Sequence, residues 1–144
     1  MVGGDGSIVF AGSQLDQGAA GYDALVVKLD KSGGLVWKKS FGGDGNDWAH
    51  DVVIYPGGGY AVAGWSDARG AKKIDAVVRR LNEAGDLIWK SRFGGDEIDR
   101  VYSISLTTDG GIGLAGVTHT DGVQGKDAWL VTIPRLQMPL DVAP

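Results

Sequence analysis

The chain contains no cysteine, which excludes disulfides, Cys-ligated zinc and a thiol nucleophile, while leaving the redox compartment open. Histidine is nearly absent too: His50 and His119 stand in different strand contexts, and no HExxH or nucleophile-elbow motif accompanies them. Positive charge is in deficit, with 14 Lys and Arg against 18 Asp and Glu for a net −4, and Lys38-Lys39, Lys72-Lys73 and Arg79-Arg80 are scattered pairs. A nucleic-acid partner is therefore not expected. No apolar run approaches the roughly 20 residues needed to cross a bilayer, so membrane insertion is not expected either. The opening Met1-Val2-Gly3-Gly4-Asp5 has neither the basic region nor the apolar core of a signal peptide. Proline is scarce at four residues, and no collagen period exists.

What the chain has in excess is glycine, 25 of 144 residues, more than twice the average share of about 7%. Without a helical or collagen pattern to absorb them, these glycines predict many tight turns and hence many short strands. The turns recur. Gly12, Gly64 and Gly116 are spaced by 52 residues, as are Ala11, Ala63 and Ala115, Asp23, Asp75 and Asp127, and Ala24, Ala76 and Ala128. Trp37-Lys38 matches Trp89-Lys90, and Phe41-Gly42-Gly43-Asp44 matches Phe93-Gly94-Gly95-Asp96, at the same step.

A fixed step without insertions predicts three tandem copies of one supersecondary unit. The units run over about 1–41, 42–93 and 94–133, making one domain at 1–133, followed by a tail at 134–144 that loses the pattern. In the middle unit, turn signals bound four strands over 48–55, 60–65, 75–81 and 87–93. The first unit lacks its first strand and the third lacks a clear fourth. The expected fold is all-β: three four-stranded repeats of about 52 residues, stacked like the blades of a partial β-propeller. A self-closed threefold β-prism or β-trefoil is the alternative.

The segment Asp23-Ala24-Leu25-Val26-Val27-Lys28-Leu29, the Gly42-Gly43-Asp44-Gly45-Asn46-Asp47 junction and the Gly59-Tyr60-Ala61-Val62-Ala63-Gly64 strand resemble the bacterial β-propeller repeat of the SBBP type. The match extends over about residues 5–133 and departs from the pattern in the third unit, where Thr132 stands at the place of Lys28 and Glu97 at that of Gly45. The resemblance implies tandem blades, usually in exported or surface proteins of bacteria, and carries no catalytic residues with it.

Three repeats fall short of the four to eight blades of a closed ring, so apolar faces would remain open. The expected partner is a second copy of the chain, most simply two chains forming a six-unit ring. The Trp37, Trp89, Phe41 and Phe93 set recurs at the repeat step, which predicts packing between units. Trp48, Trp65 and Trp129 do not recur as tryptophan.

Two constellations carry candidate chemistry. The Gly42–Ala49 junction fits a glycine-aspartate Ca²⁺ nonapeptide, with Gly94–Asp99 as its relative. Asp44, Asp47, Asp96 and Asp99 would supply the oxygen ligands. Such sites need adjacent nonapeptides, so the competing reading is a tight turn in which Asp47 and Asp99 cap backbone N–H groups. Strand alternation also gathers the loops over 14–21, 66–73 and 117–126 with the junctions on one rim, placing Trp65, Arg69, His119 and Asp121 toward one surface as ligand-binding candidates. The function these features predict is a non-catalytic binding or scaffolding module for a protein or glycan. A lectin-like carbohydrate-binding domain is the first alternative and a hydrolase the second.

Overall fold

The computed structural model describes residues 1–17, 20–67, 74–119 and 125–135. These residues form ten strands and no α-helix. They are arranged as three antiparallel sheets. The first contains β1 (Ile8–Gln14), β2 (Asp23–Leu29) and β3 (Leu35–Phe41); the second β4 (Asp47–Ile54), β5 (Tyr60–Asp67), β6 (Ile74–Leu81) and β7 (Leu87–Phe93); the third β8 (Asp99–Leu106), β9 (Ile112–Thr118) and β10 (Asp127–Ile133). Within each sheet the strands neighbour one another in chain order, so every connection is a hairpin. The three-four-three strand count matches the sequence expectation, and the middle strands begin and end within two residues of the expected bounds.

Glycine-bearing turns repeat with the strands. Gly6 N–H donates to Gly3 O, Gly58 N–H to Tyr55 O and Gly110 N–H to Thr107 O, with Gly6, Gly58 and Gly110 all at positive φ. The second hairpin type repeats likewise: Gly33 N–H donates to Asp30 O and Gly85 N–H to Asn82 O. There the Asp30 carboxylate accepts the Ser32 and Gly34 N–H groups, and the Asn82 side-chain oxygen accepts the Asp86 N–H. These are turns held by a side-chain acceptor and a residue free of Cβ strain. In the first unit, Met1 and Val2 occupy the places that Val53 and Ile54 hold in the second: Val2 bridges Ile8 as Ile54 pairs with Tyr60, and Val9 N–H donates to Met1 O. The expected missing first strand is thus represented by its last two residues.

Period-two alternation gives each sheet two distinct faces. On β5 the even residues Tyr60 and Val62 pack toward the first sheet, with Val9, Ala24 and Val26, while Ala61 and Ala63 pack toward the third, with Val101, Ile112 and Leu114. Trp37 and Phe41 join the first of these cores, and Trp89 and Phe93 the second, as their recurrence predicts. Among the described residues, the middle sheet is consequently covered on both faces and each outer sheet on one. Among the described residues the apolar clusters are two, one per adjacent pair of sheets, which is a serial stack and not the closed threefold β-prism or β-trefoil.

The strand nearest each junction is bulged: β4 shifts register between Ala49 and Asp51, and β8 between Val101 and Ser103. Opposite the bulge lie Gly64 and Gly116, and a Cβ on either would collide with the carbonyl oxygen of Trp48 or of Arg100.

Candidate binding surface

Residues flanking the loops that vary between copies meet the inter-unit junctions. Tyr22 N–H donates to Asn46 Oδ1 at 3.1 Å and Tyr22 O accepts from Asp47 N–H at 2.6 Å. The Asp67 N–H donates to Asn46 O, and at the same step His119 N–H donates to Ile98 O. One rim of the stack therefore carries parts of all three units.

Along this rim five rings form a row. Tyr22 of the first unit lies 5.2 Å from Trp48, measured between ring centroids, and Trp48 stacks on Trp65 at 5.5 Å with 21° between planes. His50 lies 6.2 Å from Trp48 and 5.0 Å edge-on from Tyr102 of the third unit. The Arg100 guanidinium sits over the Trp65 ring, 4.9 Å from its centroid, a cation–π arrangement. β-pairing explains the centre of the row, since Trp48 is directly opposite Trp65 and the bulge after Ala49 turns His50 back to the same side. Tyr22 and Tyr102 are 39% and 43% exposed, so the row presents ring surface to solvent at both ends.

Trp65 Nε1–H donates to His50 Nε2 at 2.8 Å, a bond that requires Nε2 unprotonated and so places the neutral ring's proton on Nδ1. Partial burial, helped by the positive charge of Arg100, pushes the His50 pKa below its ordinary value of 6.5. The unfolded chain therefore binds more protons than the folded one as the pH falls through about 6.5. The stability linked to His50 is fully present above that pH and declines toward the depressed folded value. Thermal melts between pH 7.5 and 5 are expected to show a larger acid-side drop for the native chain than for His50→Gln; equal drops would assign the pH dependence elsewhere.

His119 follows β9 with its Nε2 buried, and its N–H donates to Ile98 O at the third-unit junction. Arg69 and Asp121 lie outside the described residues. Of the non-recurring tryptophans, Trp129 packs against the second core and only Trp48 and Trp65 are on the rim. Sequence alone does not single out Tyr22, His50, Arg100 or Tyr102; the signal available was the Trp48–Trp65 cross-strand pair, and the partners from other units depend on the stacking of sheets.

The four aspartates of the junctions take separate roles. Asp47 is buried and pairs with the buried Arg79, Oδ1 to Nη2 at 2.5 Å. Burial lowers the Arg79 pKa against the opposing pull of Asp47. Asp99 is also buried, and its Oδ2 accepts the Gly95 N–H at 2.8 Å, the capping geometry of a tight turn. Asp44 lines an open hollow of about 330 Å³ together with Asp47, Ser66, Lys90 and Arg92. Asp67 lines it too, but its carboxylate accepts the Asn46 N–H and side-chain amide while that of Asp47 is held by Arg79, and Lys90 and Arg92 add two positive charges to the lining. Asp96 lies in the 94–98 junction, and among the described residues no three His, Asp or Glu side chains gather into a metal-binding group.

No helix of the described residues is long and apolar enough to cross a membrane. Comparison with protein-family models finds no match, and comparison with curated proteins finds none.

Proposed function

We propose that the chain is a non-catalytic binding module of β-propeller type, that the aromatic row on its rim is the contact surface, and that a glycan is the ligand. The observation carrying this reading is the row itself: five half-exposed rings drawn from three units, with polar groups of His50 and Arg100 among them. Flat aromatic faces flanked by a few oriented polar groups suit sugar rings, which offer apolar C–H faces and equatorial hydroxyls at once. Likeness to SBBP-type repeats supports a scaffold whose loops carry specificity, and implies an exported or cell-surface setting.

Tryptophan fluorescence titrated with a panel of neutral and acidic oligosaccharides tests the reading, because Trp48 and Trp65 would report directly. Trp65→Ala is expected to weaken the bound oligosaccharide about tenfold or more, corresponding to about 1.5 kcal/mol, with the far-UV spectrum unchanged. Silence across the panel, or equal affinity in Trp65→Ala, would transfer the row to a protein partner.

A further inference from the structure

The two interfaces inside the stack are one interface used twice. The face that the first sheet buries contains Val9, Ala24 and Val26, and the face the second sheet turns to the third contains Ala61, Ala76 and Val78, each 52 residues further on. The opposing faces obey the same step: Val52, Tyr60 and Val62 of the second sheet become Ile104, Ile112 and Leu114 of the third. Every contact thus joins what can be termed the leading face of one sheet to the trailing face of the next.

Among the described residues, one face of each kind has no sheet packed on it. On the first sheet, Ile8, Phe10 and Leu29 hold the places of Tyr60, Val62 and Leu81, and Phe10 is 51% exposed where Val62 is fully buried. On the third sheet, Gly113, Ala115, Ala128 and Leu130 hold the places of Ala61, Ala63, Ala76 and Val78. Leu130 is 77% exposed where Val78 is fully buried. The free trailing face is also more apolar than its buried equivalent, since Val27 stands where the middle sheet has Arg79. Cross-strand register sets Phe10 beside Val27 and Ile8 beside Leu29, so the apolar residues are contiguous. These faces are unlike each other, one bulky and one built of small residues, so neither suits a copy of itself.

We infer that the two free faces take each other from two copies of the chain, with the leading face of the third sheet on the trailing face of its partner's first sheet. Gly113 and Ala115 admit the close approach under Phe10 that Ala61 and Ala63 provide within the chain. The occupant is a second copy because this contact continues an interface the chain already makes twice, whereas an unrelated protein would have to imitate it. Such a head-to-tail contact closes when the rotation between sheets permits, and two chains give a ring of six sheets. The contact stands independently of the ligand proposed above.

Sedimentation velocity over micromolar to hundred-micromolar concentrations tests it with Phe10→Asp and Leu130→Asp, exposed positions where circular dichroism will verify folding. The native chain is expected to sediment as an assembly of at least two copies, and each variant to dissociate at concentrations about 100-fold higher or more, since each buries an unpaired charge. An equimolar mixture of the two variants is expected to regain a dimer, because Leu130 of one and Phe10 of the other form one intact contact. A monomeric native chain, a variant that keeps the native mass, or a mixture that stays monomeric would overturn the head-to-tail contact.

Discussion

Replacing Arg79 by valine should lower the free energy of unfolding by about 3–5 kcal/mol, measured by urea denaturation with an unchanged slope. Valine is the informative choice because it already occupies the equivalent places, Val27 and Val131, so steric fit is not the variable. The loss arises from Asp47, which is 4% exposed and would lose its only ion-pair partner among the described residues. Against a typical total of about 5–15 kcal/mol, the variant would be near its limit of stability. Exchanging both partners, Asp47→Ala with Arg79→Val, should regain most of the loss, because no uncompensated charge then remains. A single-variant cost below about 1 kcal/mol would show that water already solvates this pair. Arg79 Nε and Nη1 find no hydrogen-bond partner among the described residues, so the pair is incompletely satisfied and its removal as a unit costs little.

The second large effect separates three glycines that the sequence makes look alike. Gly12, Gly64 and Gly116 share the 52-residue step, yet only Gly64 and Gly116 face a bulged strand whose carbonyl leaves no room for a Cβ. Gly64→Ala and Gly116→Ala are each expected to cost about 1–3 kcal/mol or more, because the atom encountered is backbone and cannot rotate away. Gly12 has nothing within 4 Å of the same position, so Gly12→Ala should be neutral or stabilising by up to about 1 kcal/mol through reduced backbone freedom. Three similar losses would mean that the step itself, and not the bulge contact, requires glycine.

That contrast shows what could be read in the chain beforehand. Strand positions, hairpins and the division into units were legible because turn glycines and alternating apolar residues act locally. The recurrence of Trp37 and Phe41 as Trp89 and Phe93 correctly marked them as inter-sheet core. The bulges were not legible, since Ala49–Asp51 and Val101–Ser103 carry no glycine or proline; the extra residue is visible only against the partner strand. Nor was the fate of Asp47 and Asp99. The turn-cap reading holds for Asp99, which accepts the Gly95 N–H, and fails for Asp47, which pairs with Arg79, a residue without a counterpart in the third unit. The rim was expected from strand direction, and Trp65 was placed there. His119 meets the third-unit junction through its backbone, as Asp67 meets the second.

The division of each sheet into two unlike faces, with loops at the strand ends, separates two kinds of sequence freedom. Across the faces a residue answers to the neighbouring unit, so a change there has to be matched 50 or so positions away. At the strand ends, residues that differ between the copies, Tyr22, Trp48 and Trp65 among them, stand outside the two cores, so they can diverge with less disturbance to the stack. Sequence change at the rim can therefore proceed one unit at a time, while the two cores between the sheets stay fixed.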